Sequence, residues 1–152
     1  MYTYQGHALQ TASGVELTIA LYDGIIRFMG NAIDAVDGND VDGRRAAVKR
    51  AMDIVIHLQA TLNKDVGGEP AKALEEFYVA MFALMLQGSE ANSKQKFEQV
   101  IANVRKVREA WKQVASEPGL NVTSYFEQLG DGPADPDARS LAEEHVSASW
   151  TA

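Results

Sequence analysis

Four stretches of apolar residues repeat at steps of three and four along the chain, and short runs rich in Gly, Asn, Asp and Pro separate them. This period is that of one face of an α-helix, whereas a half-buried strand alternates with period two. The breaks are only a few residues long, so each helix must fold back against its neighbour. The pattern therefore predicts an all-α fold, an antiparallel four-helix bundle without strands.

The breaks also predict where the helices begin and end. Ser13 and Glu16 form a capping box at the start of the first helix, and Gly38 suits a left-handed stop at its end. Gly67 and Gly68, followed by Pro70, separate the second helix from the third. The predicted bounds are 13–36, 41 or 44–63, 69–86 and 93–115.

Charge divides the chain into a neutral body and an acidic tail. The net charge is −7, and residues 116–152 contain seven acidic residues against Arg139 alone. Residues 1–115 then contain 14 acidic and 13 basic residues. With the weak periodicity at both ends, this predicts a flexible arm over residues 1–12, a bundle domain over residues 13–115 and an acidic, partly ordered extension over residues 116–152.

Composition argues against several classes of function. An acidic chain lacks the basic surface that phosphate binding needs, so we expect no nucleic-acid partner. No apolar run approaches the roughly 20 residues that cross a bilayer, so we expect no membrane insertion. The N-terminal sequence has neither region of a secretory signal, and cysteine is absent. These features fit a cytoplasmic protein.

Enzymatic and metal-binding patterns are also missing. His7, His57 and His145 lie far apart, and only Asp53 with His57 approaches the Glu-x-x-His spacing of di-iron bundles. A surface hydrogen bond or a capped core histidine explains that pair better than a metal site, which needs several convergent ligands. The sequence has no Gly-rich phosphate loop and no nucleophile elbow. We therefore predict no catalytic residue, no metal and no cofactor.

Apolar residues exceed what a four-helix bundle needs. A bundle helix buries about three of seven positions, yet the first helix has two apolar rows and is either central or partly exposed to a partner. The third helix is apolar nearly all round, and flexible Met residues suit grooves that accept a peptide helix. The surplus predicts a protein-binding surface. We interpret the basic residues of the fourth helix as a solvated face, with the alternative that the acidic tail folds against it.

Several segments, in order, carry a family resemblance. They are Thr11-Ala-Ser-Gly-Val-Glu-Leu, Leu21-Tyr-Asp-Gly-Ile-Ile-Arg-Phe-Met, Ala51-Met-Asp-Ile-Val-Ile-His-Leu-Gln-Ala-Thr-Leu-Asn, Gly67-Gly-Glu-Pro-Ala-Lys-Ala-Leu and Arg108-Glu-Ala-Trp. Over roughly residues 2–115 the chain resembles the flagellar secretion chaperone family FliS. It departs from the family pattern at Gly14, Asn63 and Phe77, and above all in its long acidic tail.

The resemblance implies a chaperone that binds the C-terminal segment of flagellin in the cytoplasm, prevents premature polymerisation and assists delivery to the flagellar export apparatus. Components of that apparatus are further expected partners. The alternative is a helical adaptor or secretion chaperone for a different client. The oligomeric state, monomer or homodimer, stays open.

In this family an N-terminal arm occupies part of the client surface, a role that the resemblance gives here to Tyr2 and Tyr4. The predicted partner-binding residues are Tyr22, Ile25, Ile26, Met29, Leu58, Tyr78, Met81, Phe82, Met85, Val104 and Trp111. We also predict that a charged residue at Met81 or Met85 weakens client binding without unfolding the bundle. A last prediction is that the tail from Pro118 onward competes with the client.

Overall fold

The computed structural model describes the backbone of residues 2–65 and 68–116 and the side chains of residues 14–62 and 68–116. Four helices make up this part of the chain: α1 (Tyr2–Asp37), α2 (Val41–Asp65), α3 (Glu69–Ala91) and α4 (Lys94–Ser116). None of these helices, within the part described, has the length and apolarity to cross a membrane. The predicted all-α four-helix fold is confirmed.

The beginning of α1 differs from the predicted bound. The helix starts at Tyr2, so Ser13 and Glu16 lie inside it and do not form a capping box at its start. Once a helix is nucleated, each added residue forms one more backbone hydrogen bond, and residues 2–12 contain no proline to interrupt this. The single Gly6 lowers helix propensity by only about 1 kcal/mol. The backbone of residues 2–12 is therefore an extension of α1.

The helices pack in a ring. α1 packs against α2 and α4, and α3 packs against the same two helices, so α1 lies diagonally opposite α3. The core between them is formed by aromatic, Met and branched apolar side chains, the largest fully buried being Tyr22, Tyr78 and Phe97. Residues that are four or three positions apart on each helix supply this core, as expected for bundle packing.

Polar residues shape the turn between α1 and α2. Asp40 caps α2, because its side-chain oxygen accepts a hydrogen bond from the Gly43 amide at 2.9 Å. The left-handed residue of this turn is Asn39, with φ of 53°, and not Gly38 as predicted. The Gly38 amide still donates to the Asp34 carbonyl at 2.9 Å, which keeps it in a helical turn and moves the left-handed residue one position on. Asn tolerates this conformation better than most residues.

The end of α3 also lies beyond its predicted bound at Leu86. Gly88 remains helical and buried, because the ring of Phe97 from α4 lies against it. A Cβ atom at Gly88 would come within 2.7 Å of Phe97 Cε1. Gly88 thus lets the Phe97 ring of α4 pack directly against the backbone of α3. Asn92, with φ of 53° and ψ of 41°, is the left-handed cap that ends α3.

Candidate partner-binding surface

Most of the predicted partner-binding residues lie inside the bundle. Ile26 and Phe82 are half-buried, and the other nine are buried in the core. Met85 is 0% exposed and Met81 is 3% exposed. A charged side chain at either position would lose its hydration without gaining a partner, so the expectation that such a variant stays folded does not fit the structure. The side chains of Tyr2 and Tyr4 lie outside those described.

The structure brings together Tyr22 of α1, Tyr78 of α3 and Trp111 of α4. The two tyrosine hydroxyl oxygens lie 2.7 Å apart, and Trp111 Nε1 donates to the Tyr22 hydroxyl at 3.2 Å. The tyrosine rings meet edge to face, with centroids 6.3 Å apart. We call these three residues the aromatic cluster. It joins the two diagonally opposed helices and one of their neighbours through a single hydroxyl group.

Burial governs the acidity of that hydroxyl. It raises the pKa of Tyr22 to about 12, because a phenolate would lose its hydration inside the bundle. The hydrogen bonds with Tyr78 and Trp111 lower the pKa, but by less than burial raises it. Tyr22 therefore remains neutral throughout the physiological range and serves as a structural hub.

Gly24 lies in the same first-helix motif and has a packing role. A Cβ atom there would lie 3.0 Å from Ile54 Cδ1 of α2, closer than ordinary van der Waals contact allows. The glycine thus lets α1 and α2 approach. Its neighbour Asp23 is exposed and contacts α4. Within Leu21-Tyr-Asp-Gly-Ile, the Tyr22 hydroxyl therefore faces the core, the Asp23 carboxylate faces α4 and Gly24 faces α2.

Two contacts identify which flank of α2 faces α1. Ile54 meets Gly24, and the Arg50 guanidinium lies 5.8 Å from the centroid of the Phe28 ring. Successive residues are 100° apart around an α-helix. Met52 and Ile56 therefore lie on the other flank of α2, the one that faces α3.

The same reasoning places the flanks of α3. Lys96 of α4 donates to Gln87 Oε1 at 2.7 Å, so the Gln87 flank faces α4. Phe82 lies on the opposite flank, toward α2. Val79 and Leu86 lie on the outward shoulder on that same side, three and four positions from Phe82.

We call the surface formed by Met52, Ile56, Val79, Phe82 and Leu86 the α2–α3 groove. Met52 and Phe82 are half-buried against the core and form its floor. Ile56 is 51% exposed, Val79 39% and Leu86 38%. These are three of the five exposed large apolar side chains among the described residues, which makes this flank a candidate contact surface.

The predicted set contains only Phe82 from this groove. A signal for the others exists in the sequence: Ile56, Val79 and Leu86 each directly follow a buried residue, Val55, Tyr78 and Met85. This signal is partial, because Met85 itself directly follows a buried residue, Leu84, and is fully buried. Helical spacing alone therefore does not distinguish these exposed apolar residues from their buried neighbours.

Charged pairs cover the opposite side of the bundle, between α1 and α4. Arg108 contacts both carboxylate oxygens of Asp23, and Lys94 contacts Asp37 at 2.7 Å. These carboxylates raise the pKa of both cations through hydrogen bonding and charge attraction. Much of the basic character of α4 is thus already paired, which fits the interpretation of a solvated face.

Asp53 and His57 do not converge on a metal site. Asp53 forms an ion pair with Lys49 at 3.1 Å, and the His57 carbonyl accepts a hydrogen bond from Thr61. Across the described ranges 14–62 and 68–116, no group of three or more His, Cys, Asp or Glu side chains is placed to hold a metal ion.

A family comparison agrees with these features. The family described as flagellar protein FliS matches residues 1–118, which include all four helices. The chain belongs to the FliS family. The match covers the aromatic cluster and the α2–α3 groove, and it ends where the acidic tail begins.

Curated relatives agree on the family. The chain is 33% identical to the flagellar secretion chaperone FliS of Campylobacter jejuni over 109 residues, which are 69% of this chain and 85% of the relative. It is 32% identical to the protein of the same name from Salmonella typhimurium, over 71% of this chain and 81% of that one. The Bacillus subtilis chaperone is 29% identical, over 72% of this chain and 81% of that one. Family membership supports a role as a flagellar export chaperone with a flagellar client.

Proposed function

We propose that this chain binds the C-terminal segment of flagellin in the cytoplasm, prevents its premature polymerisation and delivers it to the flagellar export apparatus. The activity is binding without catalysis. The α2–α3 groove is the observation that carries the proposal, because it offers exposed apolar side chains on a folded bundle of the FliS family. An amphipathic client helix would place residues at positions i, i+3, i+4 and i+7 in such a groove.

The dimensions of the groove suit a short helix. Val79 and Leu86 are seven residues apart on α3, a rise of about 10 Å, which equals two turns of a client helix. Covering the exposed apolar side chains removes them from water at about 25 cal/mol per Å². That gain must offset the ordering of a client that is disordered when free. A client of two or more helical turns is therefore expected.

The predicted residues inside the core keep an indirect role in this proposal. Tyr78 and Met85 directly precede Val79 and Leu86, so their burial sets the rotation of α3 and the direction in which its groove residues point. Ile26 is half-buried on the α1 flank facing α4 and stays a predicted contact for a client that wraps around the bundle. The N-terminal residues Tyr2 and Tyr4 stay predicted occupants of the client surface.

Titration of the full chain with a flagellin C-terminal peptide, followed by calorimetry, tests the proposal. We expect saturable one-to-one binding with a negative heat-capacity change, the marker of apolar burial. A peptide with the same composition in scrambled order is the control. Absence of binding at concentrations where the chain remains folded, or equal binding of both peptides, would refute the proposal.

A further inference from the structure

The chain continues for 36 residues beyond Ser116, where α4 ends, and the family match stops at residue 118. The first apolar set of this tail at helical spacing is Val122, Tyr125, Phe126 and Leu129. These positions are i, i+3, i+4 and i+7, the anchor pattern of a helix that docks in an apolar groove. Pro118 and Gly119 precede the set, and Gly130 follows it, so the pattern is bounded at both ends.

We propose that residues 122–129 of the tail occupy the α2–α3 groove of the same chain and are displaced when a client binds. This inference rests on the proposed function, because it concerns regulation of the same groove. The apolar set of the tail and the exposed residues of the groove match in chemistry. They also match in length, since Val122 and Leu129, like Val79 and Leu86, are seven residues apart and a helix rises about 10 Å over that interval.

The tether is long enough for this contact. In the antiparallel bundle, α4 ends at the same end of the molecule at which α3 begins. The six Cα-to-Cα steps from Ser116 to Val122 span up to about 20 Å when extended. Val79 lies ten residues along α3 from Glu69, about 15 Å, and neighbouring bundle helices are about 8–10 Å apart, so the path to Val79 is about 18 Å and the linker must be nearly fully extended.

The direction of the tail determines which charges it would meet. A segment that enters near Val79 and follows α3 leaves the groove near Leu86, at the end of the bundle where α2 begins. The next part of the tail is acidic, with Asp131, Asp135 and Asp137. It would meet the N-terminal end of α2, where the helix dipole is positive but Arg44 and Arg45 are balanced by Asp40 and Asp42. The apolar set provides the attachment, and the dipole of α2 is the one electrostatic contribution that favours this direction.

A photo-crosslinking experiment on the full chain tests the contact. Because the chain has no cysteine, Lys49→Cys places one benzophenone label beside the groove, and Lys106→Cys places the same label on the outer face of α4 with the same change of charge. After irradiation and trypsin digestion, mass spectrometry identifies crosslinks to the tail peptide 113–139. We expect the label at position 49 to give at least tenfold more of this crosslink than the label at position 106, within single chains.

A second variant removes the anchors without touching the bundle. Tyr125→Ser with Phe126→Ser in the Lys49→Cys chain should reduce the crosslink at least tenfold, with unchanged helical content by circular dichroism. Equal yields from the two labels, a larger yield from position 106, or a yield that the serine changes leave intact would overturn the proposal. Crosslinks found only between two chains would overturn it as well, because they would place the tail of a second copy in the groove.

Affinity for the client provides the regulatory test. If the tail fills the groove in about 90% of molecules, the apparent client affinity is about tenfold weaker than the intrinsic one. The flagellin C-terminal peptide should then bind the double serine variant about tenfold more tightly than the native chain, and it should suppress the tail crosslink. Equal peptide affinities of the double serine variant and the native chain would show that the tail does not compete with the client.

The two proposals fail in different ways. A tail crosslink in a chain that never binds flagellin peptide would overturn the proposed function and leave tail docking in place. Flagellin binding without a tail crosslink would overturn tail docking and leave the proposed function in place.

Discussion

The α1–α4 and α2–α3 sides of the bundle use the same helical geometry but present different surfaces. Between α1 and α4, half-buried isoleucines such as Ile26 lie beside ion pairs that join the two helices, Asp23 with Arg108 and Asp37 with Lys94. Between α2 and α3, no ion pair joins the helices within the described ranges, and Ile56 is half-exposed. Exposed charge keeps a helix face solvated, whereas exposed apolar area has a free-energy cost in water that a partner can remove. This difference is the reason that the proposed function assigns the client to the α2–α3 side.

The largest expected effect separates the interior of α3 from its groove face. Met85 is fully buried and its neighbour Leu86 is exposed, so the same substitution should act differently at adjacent positions. We expect Met85→Glu to lower the free energy of unfolding by at least about 3 kcal/mol, because it buries an unpaired charge. Leu86→Glu should change it by less than about 1 kcal/mol. Urea denaturation followed by circular dichroism measures both, and equal losses would show that α3 is rotated differently.

The aromatic cluster should show its contribution at high pH. The pKa of Tyr22 is about 12 in the folded chain and about 10 in an unfolded one. Between these values the unfolded chain has released the proton and the folded chain still binds it, so stability falls as pH rises. The fall amounts to about 2–3 kcal/mol by pH 12. Urea denaturation at pH 9 to 12 measures it.

Tyr22→Phe is the matched control for this pH dependence. It should lack the part of the fall that Tyr22 causes. At neutral pH we expect it to cost about 1–3 kcal/mol, because the buried Trp111 Nε1 loses its acceptor. A variant whose stability follows the native pH curve would show that Tyr22 is not the titrating group.

A change at the groove should weaken client binding and leave the fold intact. Ile56→Glu places a charge among exposed apolar side chains, and we expect flagellin-peptide affinity to fall at least tenfold, or about 1.4 kcal/mol. Leu17→Glu is the control, since Leu17 is 55% exposed but lies on α1, away from the groove. Calorimetric titration compares the two. If both variants lose affinity equally, the client does not distinguish the α2–α3 groove from the rest of the surface.

The smallest expected effect concerns the α1–α4 side. Asp23→Asn removes the charge that faces Arg108, and exposed pairs contribute about 0–1 kcal/mol each. We expect a loss of stability within that range that disappears at high salt, and no change in client affinity. Thermal unfolding at low and high ionic strength, with a titration of flagellin peptide, tests both parts. A loss of affinity similar to that of Ile56→Glu would make this side part of the client surface.

Periodicity in the sequence was enough to predict four helices, their order and most of their turns. The prediction went wrong where a local signal competed with context. Ser13 has the side chain of a helix cap, yet α1 continues through it, since nothing in residues 2–12 stops a growing helix. Gly88 resembles a helix stop, yet it remains helical because Phe97 occupies the space that a side chain would need.

The sequence by itself determined the fold class, the neutral body with its acidic tail, and the resemblance that family comparison confirmed. These properties are local, because spacing and charge are visible along one chain. Tertiary structure alone decided which apolar residues face the interior and which face solvent. Tyr78 and Val79, or Met85 and Leu86, are side chains that a core can accept, but they differ by 100° around α3, and only packing against α2 and α4 selects the inward member of each pair. The groove is the outcome of that selection.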